Sequence, residues 1–345
     1  MKAITSTSTP AGPRYTLAEV PEPTAGPDDL LVEVHASAIN QADLRHARTH
    51  FAASETEAGP AVAGLELAGE VIALGERVTG FAVGDRVMAM TGRAWAERAT
   101  IDYRLAVPVP DGFSWSEAAA TPVSYITAHD CVTSAARLSH GESILVQGAT
   151  TAAGLAVLQL ARHVGAQPIL GTTSSAAKAE RLRSVGCHIP VVRGSMDVAD
   201  RVAAATDGHG ADVVVDILGG TALTENVAAA AIQGRIICLG RVSGPRGELD
   251  LDEFARKRIQ MTGVTFRTRT FEERCAVVAR FIREMLPALD SQQIRPVWDR
   301  SFGWADCAEA ETYLRSGTQF GKVLLSMKQA SPSASADGEA RVPSF

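Results

Sequence analysis

The stretch Ser143-Ile144-Leu145-Val146-Gln147-Gly148-Ala149-Thr150-Thr151-Ala152-Ala153-Gly154-Leu155-Ala156-Val157-Leu158 has the residue types and spacing of a phosphate-binding turn. An apolar run of strand length enters a turn of small residues and leaves as a helix rich in Ala and Leu. The free N–H groups at the start of that helix would receive a pyrophosphate. Where a Gly-x-Gly-x-x-Gly pattern would stand, the chain reads Ala149-x-Thr151-x-x-Gly154. Only the last glycine, the one that lets helix and strand pack closely, is kept. A buried strand, turn and helix with no ligand fits this segment alone equally well.

The second strand sharpens the reading. Pro168-Ile169-Leu170 runs into Gly171-Thr172-Thr173-Ser174-Ser175, with Lys178 and Arg181 on the helix that follows. No acid stands at this strand end to meet the ribose hydroxyls of NAD, whereas small residues and a cation suit the extra phosphate of NADPH. NADPH is therefore the expected cofactor, with Lys178 as its phosphate partner; the alternative is that Lys178 and Arg181 are solvated helix residues.

These residues need elements to hold them. The first third of the chain is strand-rich and broken by Gly and Pro, with strands at Leu30–Ala36, Ala68–Gly75 and Gly84–Met90, a pattern that predicts a compact barrel-like domain. From Tyr125 helices and strands alternate: a helix through Ala128 to Ala136, then strands at Ile144, Ile169, Val191, Val213 and Ile236, with helices at Leu155, Ala176 and near Val198. This alternation predicts an α/β fold, a Rossmann doubly wound parallel sheet. A helix over Glu272–Leu289, a strand at Val297-Trp298, a helix over Trp304–Arg315 and a strand at Lys322–Leu325 follow, the last expected to return to the first domain. The expected boundaries are 1–124 with 266–328 for the barrel-like domain and 125–265 for the sheet domain, leaving 329–345 as a disordered tail.

Composition narrows the function classes. The chain has 345 residues and a net charge of −6, enough for two domains and without the basic face that nucleic acid requires. No apolar stretch approaches the roughly 20 residues needed to cross a bilayer. The start of the chain lacks a signal-peptide core, so a cytoplasmic location is expected. The five cysteines are scattered, with no C-x-x-C pair, which argues against a clustered zinc site and a disulfide framework.

The chain resembles the medium-chain dehydrogenases/reductases, specifically their zinc-independent quinone oxidoreductase branch, over nearly everything from Met1 to Met327. The segments that carry the resemblance are Ala38-Ile39-Asn40-Gln41-Ala42-Asp43-Leu44, Gly64-Leu65-Glu66-Leu67-Ala68-Gly69, Gly84-Asp85-Arg86-Val87, Thr121-Pro122 with Thr127-Ala128, Asp216-Ile217-Leu218-Gly219-Gly220, Phe266-Arg267-Thr268-Arg269 and Gly321-Lys322-Val323-Leu324. The resemblance implies that the first domain is GroES-like and catalytic. Zinc-dependent relatives carry a Cys at the position of Asn40 and a His at that of Leu65; an amide and an alkyl chain do not hold Zn²⁺ in that geometry. No metal is therefore expected, and Glu66 is read as structural.

The resemblance also implies hydride transfer from NADPH to a quinone or an α,β-unsaturated ketone. Asn40 would bind the nicotinamide ribose or the substrate oxygen, with a turn residue after a strand as the plainer alternative. Thr127, Gly148, Ala149, Thr151, Ala152, Ala153, Gly154, Gly171, Thr172, Ser174, Lys178, Leu218, Gly240, Arg241, Phe266, Arg267 and Lys322 are the other expected cofactor contacts. Arg193 replaces a Tyr that often touches the adenosine phosphate. Phe51 stands where many relatives carry a Tyr, and His46, His50 and Tyr125 are expected with it near the substrate, His46 and His50 in a loop that reads alternatively as solvated and charged. Ala152 occupies the family's phosphate-turn glycine, so a left-handed backbone there would cost about 1–2 kcal/mol. A homodimer through the strand-like run Gln260–Phe266 is expected if that run is a sheet edge; an interior strand is the alternative. Two further readings stay open: a biosynthetic enoyl reductase, and a catalytically inactive relative that serves as a binding module.

Overall fold

The computed structural model describes residues 1–9, 12–46 and 61–326. The described chain forms two compact units, one from Met1–Ile126 with residues 266–326, the other from Thr127–Thr265. His50, Phe51 and the 329–345 tail lie outside the described residues, as does the side chain of His46.

In the second unit six strands pair in parallel in the order Ile189–Val192, Ile169–Thr173, Ile144–Gln147, Ala211–Asp216, Ala230–Cys238, Gln260–Gly263. The strand earliest in sequence lies in the middle, and the chain winds outward to either side of it. Such a sheet is covered by helices on both faces, which is why Ile144–Gln147 and Ile169–Thr173 are buried at every position rather than at alternate ones. Leu145, Leu170, Val191, Val214 and Ile236 form one apolar core with Val198, Val202 and Val227 from the flanking helices. The run around Gln260 resolves as an edge: its four residues are exposed, and among the described residues its only strand partner is Ala230–Cys238.

The first unit holds a seven-stranded sheet built around Asp29–Ile39, which pairs antiparallel with Glu66–Leu74, Arg98–Asp102 and Lys322–Ser326. The strand nearest the end of the described chain thus completes the sheet begun near its start. Trp298–Gly303, expected as two residues, runs parallel to it for six. A smaller sheet joins Lys2–Thr9 to Gly12–Glu19 and Ala61–Val62. Trp95 is fully buried between the two sheets, its indole N–H donating to Ala38 O at 3.1 Å.

Several helical segments differ from the sequence reading, which placed no helix at Trp115–Ala120, Ala222–Ala229 or Leu251–Lys257. The helix expected over Ala128–Ala136 is mostly wide-turned, with π-helical Pro122–Ile126 and Asp130–Ala135 on either side of one α-turn, Thr127–His129. The helix Ala222–Ala229 had no strong periodic signal, because it is short and mostly small residues.

The short helix Trp115–Ala120 leads the chain to the site and is tied down by one acid. Glu117 closes a capping box with Ser114 and is ion-paired with Arg295, whose Nε lies 2.9 Å away. Replacing Glu117 by Ala leaves the half-buried guanidinium without its carboxylate and is expected to destabilise the protein by about 3 kcal/mol, read as a lower urea midpoint.

Candidate functional site

Two groups of polar residues stand out, one in each unit. In the parallel-sheet unit the turn after Ile144–Gln147 begins with Gly148 at φ +76°, a left-handed conformation that glycine adopts without strain. Thr151 then caps the helix Ala152–Val164, its hydroxyl accepting from Gly154 N–H at 3.1 Å. Ala152 is the first helical residue with ordinary helical backbone, so the penalty expected for its methyl does not arise; the left-handed residue is Gly148. Gly154 is required for a different reason. A Cβ there would come within 2.6 Å of Gly148 O. With Gly154 N–H bonded to the Thr151 hydroxyl and Leu155 N–H to its carbonyl, the N–H groups of Ala152 and Ala153 lie at the open end of the helix, under small side chains.

The turn is braced from below by a buried polar network. Thr172 Oγ1 accepts from Gly148 N–H at 3.0 Å and donates to Gln147 Oε1 at 2.9 Å. Gln147 Nε2 donates to Glu225 and to Asn226. Arg193 donates to Gln147 Oε1 at 2.9 Å and pairs with Glu225 at 2.7 Å. One strand over, Asp216 accepts from the N–H groups of Leu218 and Gly219, and burial raises its pKa above the usual carboxylate range despite those bonds.

These positions correct the expected contact list. Ala149 and Thr172 are fully buried, and Gly171 is a packing residue whose Cβ would meet that of Ala149 at 2.9 Å. All three shape the turn from behind. Arg193 is held by Gln147 and Glu225 rather than standing free for a phosphate. Thr151, Ala152, Ala153, Ser174, Lys178, Leu218, Gly240 and Arg241 stay wholly or partly exposed at the carboxyl ends of the parallel strands, and Thr127 is half-buried at the start of this unit. Lys178 sits in the first turn of the helix Ala176–Arg183, which Ser175 caps. A nucleotide pyrophosphate fits this arrangement: small side chains, a left-handed glycine and an open helix start at the middle of a parallel sheet.

In the strand-rich unit the group is built on Asn40, at the end of Asp29–Ile39, and Glu66, which opens the neighbouring strand. Glu66 is fully buried and Lys322 is 2 % exposed. Lys322 Nζ donates to Glu66 Oε1 at 2.8 Å and to Asn40 Oδ1 at 2.7 Å. Asn40 Nδ2 donates to Glu66 Oε1 at 2.8 Å, and Val123 N–H donates to Glu66 Oε2 at 2.8 Å. Lys322, expected among the cofactor contacts, therefore lies beneath Asn40 in an internal ion pair. Tyr125, expected near the substrate, is 2 % exposed and donates its hydroxyl to Arg295 O, a bond that makes it part of the core. Phe266 is buried in this unit beneath the Arg269 guanidinium, while Arg267 is exposed.

Sequence reasoning missed Asp43. Its carboxylate accepts Asn40 N–H at 2.7 Å and closes the turn that presents Asn40. An acid three residues after a strand-ending Asn was the available signal. Burial, with the Glu66 charge adding to it, pushes the Asp43 pKa up to about 7. Among the described residues no three His, Cys, Asp or Glu side chains lie close enough to hold a metal ion.

Known proteins agree with this architecture. Residues 26–128 match the alcohol dehydrogenase GroES-like domain and residues 152–283 the zinc-binding dehydrogenase domain. The mouse (Mus musculus) quinone oxidoreductase-like protein 2 is 29 % identical over 91 % of this chain and 89 % of its own length. The chain belongs to the medium-chain dehydrogenases/reductases, in their quinone oxidoreductase branch. A mycobacterial protein solved in complex with NADPH superposes with a TM-score of 0.81 at 27 % identity, covering 94 % of this chain and all of that one. The highly reducing polyketide synthase sorA of Penicillium rubens is 28 % identical over 88 % of this chain, which spans only 12 % of that protein. This medium-chain oxidoreductase thus has a GroES-like unit carrying Asn40 and a Rossmann-like unit carrying the turn.

The raised Asp43 pKa has a definite sign. The unfolded chain releases this proton near pH 4 and the folded protein only near pH 7, so stability falls as pH rises between those values. Asp43→Asn keeps an oxygen acceptor for Asn40 N–H without the titration. Urea midpoints measured from pH 4 to 7 should fall less steeply in this variant than in the parent.

Proposed function

We propose that the protein is a reductase that delivers hydride from NADPH to a quinone or an α,β-unsaturated ketone without zinc. The donor set at Asn40 and Leu65 carries this reading. Leu65 is a buried alkyl group, and Asn40 is an amide engaged by an ammonium and a carboxylate. Such a pair supplies no metal ligand pair and no proton, but it does supply a fixed hydrogen-bond donor. That is what a conjugated carbonyl needs as negative charge develops on its oxygen.

When bound, NADPH supplies the hydride. The small-residue turn and the helix start at Ala152 would hold its pyrophosphate, and Lys178 would receive the extra phosphate. Asn40 receives the substrate oxygen, and solvent completes the reduction with a proton. A biosynthetic enoyl reductase is the second reading, favoured by the likeness to a segment of a polyketide synthase. In the same reading two copies pair through the exposed edge Gln260–Gly263, in the cytoplasm.

Three measurements test this. NADPH fluorescence titration should show binding, and steady-state assays should show turnover with simple quinones or enones. Turnover confined to enoyl thioesters would select the second reading, and absence of binding at millimolar NADPH would sink both. Lys178→Ala should weaken NADPH about tenfold or more and leave NADH nearly unchanged; equal weakening of both would remove Lys178 from the phosphate. Met261→Pro on the edge strand, at a position whose N–H points away from the inner neighbour strand, should yield a monomer by light scattering, because proline cannot donate to a strand pairing across the edge.

A further inference from the structure

The chain contains two asparagines, and one of them sits against a full buried charge pair. Asn40 Oδ1 receives the Lys322 ammonium at 2.7 Å, while Nδ2 gives one hydrogen to the Glu66 carboxylate at 2.8 Å. The amide plane has two orientations that differ by exchanging these atoms. In the reverse orientation the NH₂ would face the ammonium and the carbonyl oxygen would face the carboxylate, two like-on-like contacts inside the protein. The observed orientation is therefore the only one the charges permit. The Asp43 carboxylate, which accepts Asn40 N–H, also acts on the Asn40 side-chain amide and favours the same orientation; among the described residues the only well-formed Nδ2 bond is the one to Glu66, and Asn40 is half-exposed although its charged neighbours are buried.

We propose that Lys322 and Glu66 are positioning residues that lock the Asn40 amide as a one-way hydrogen-bond donor, so that its remaining N–H is presented to the carbonyl oxygen of the substrate. The role toward substrate rests on the reductase reading above; the lock itself does not. A second effect follows from the same contacts. A cation on Oδ1 draws electron density through the conjugated amide and makes the N–H a stronger donor, and the low-dielectric surroundings of the pair preserve that polarisation. Asn40 thus acts as an oxyanion donor whose orientation needs no rearrangement as charge develops. Lys322 acts through Asn40 and does not itself contact the phosphates.

Because only Asn40 and Asn226 carry asparagine side-chain amides, asparagine-selective ¹⁵N labelling gives two NH₂ signals. Removing Lys322 alone would strand a buried carboxylate, so the informative variant is the double change Glu66→Leu with Lys322→Met, which removes both charges together. In the parent protein the Asn40 NH₂ should show two well-separated protons, one protected from solvent exchange. In the double variant that protection should be lost, with Asn226 serving as the internal control. With a quinone or enone substrate, kcat should fall about 100-fold while the NADPH dissociation constant stays within about threefold.

An Asn40 signal unchanged in the double variant overturns the lock. A NADPH constant raised tenfold or more with kcat preserved overturns the positioning role and returns Lys322 to the cofactor. If the parent turns over no substrate but shows the protected Asn40 proton, the reductase reading fails while the lock stands.

Discussion

Two opposite charges withdrawn from water, on Glu66 and Lys322, hold the strand-rich unit in its present form. Each alone would be costly in an interior of low dielectric, and their attraction offsets that cost only when the remaining oxygens and N–H groups find partners. Here Asn40 and the Val123 N–H fill that role. The result ties together the end of one central strand, the start of the next, the segment that leads into the π-helical turns, and the last strand of the described chain. An apolar cluster of the same size could pack these elements, but it would leave the amide at position 40 free to turn over. Under the proposed lock, ionic burial at this place serves orientation as well as the joining of these elements.

The parallel-sheet unit uses neutral polar groups for a comparable purpose. Its turn lacks glycine at positions 149 and 151, yet the chain still reverses tightly, because Gly148 takes the left-handed step one residue earlier and Thr172 holds its N–H from below. Gln147 and Thr172 are polar residues buried in otherwise apolar strands. Both are tolerated because their polar atoms are hydrogen-bonded to a neighbouring strand, helix or turn. Arg193 and Glu225 close this network at its half-exposed rim, which fixes the floor of the turn without occupying its open side.

Much of the fold was legible in residue order. The apolar runs at Ile144, Ile169, Val213 and Ile236 mark buried parallel strands because such strands need no alternation, and Thr151 with Gly154 marks a helix start. Residue type alone marked Asn40, Leu65 and Lys178 as candidates for the site. The site was less legible where a residue's partner lies far away along the chain. Glu66 and Lys322 are 256 positions apart, and nothing local distinguishes a lysine that meets a phosphate from one that meets a buried carboxylate. Tyr125 and Arg193 show the same difficulty, since their hydrogen-bond partners, Arg295 and Glu225, lie far away along the chain.

What the sequence determined by itself is therefore what short-range chemistry controls: element type through periodicity and burial, turn position through glycine and capping residues, and the absence of a thiolate and imidazole at positions 40 and 65. The tertiary structure alone decided which polar groups face inward. A side chain's hydrogen-bonding role depends on what folding brings within 3 Å of it, and for Asn40 that meant an ammonium on one side and a carboxylate on the other.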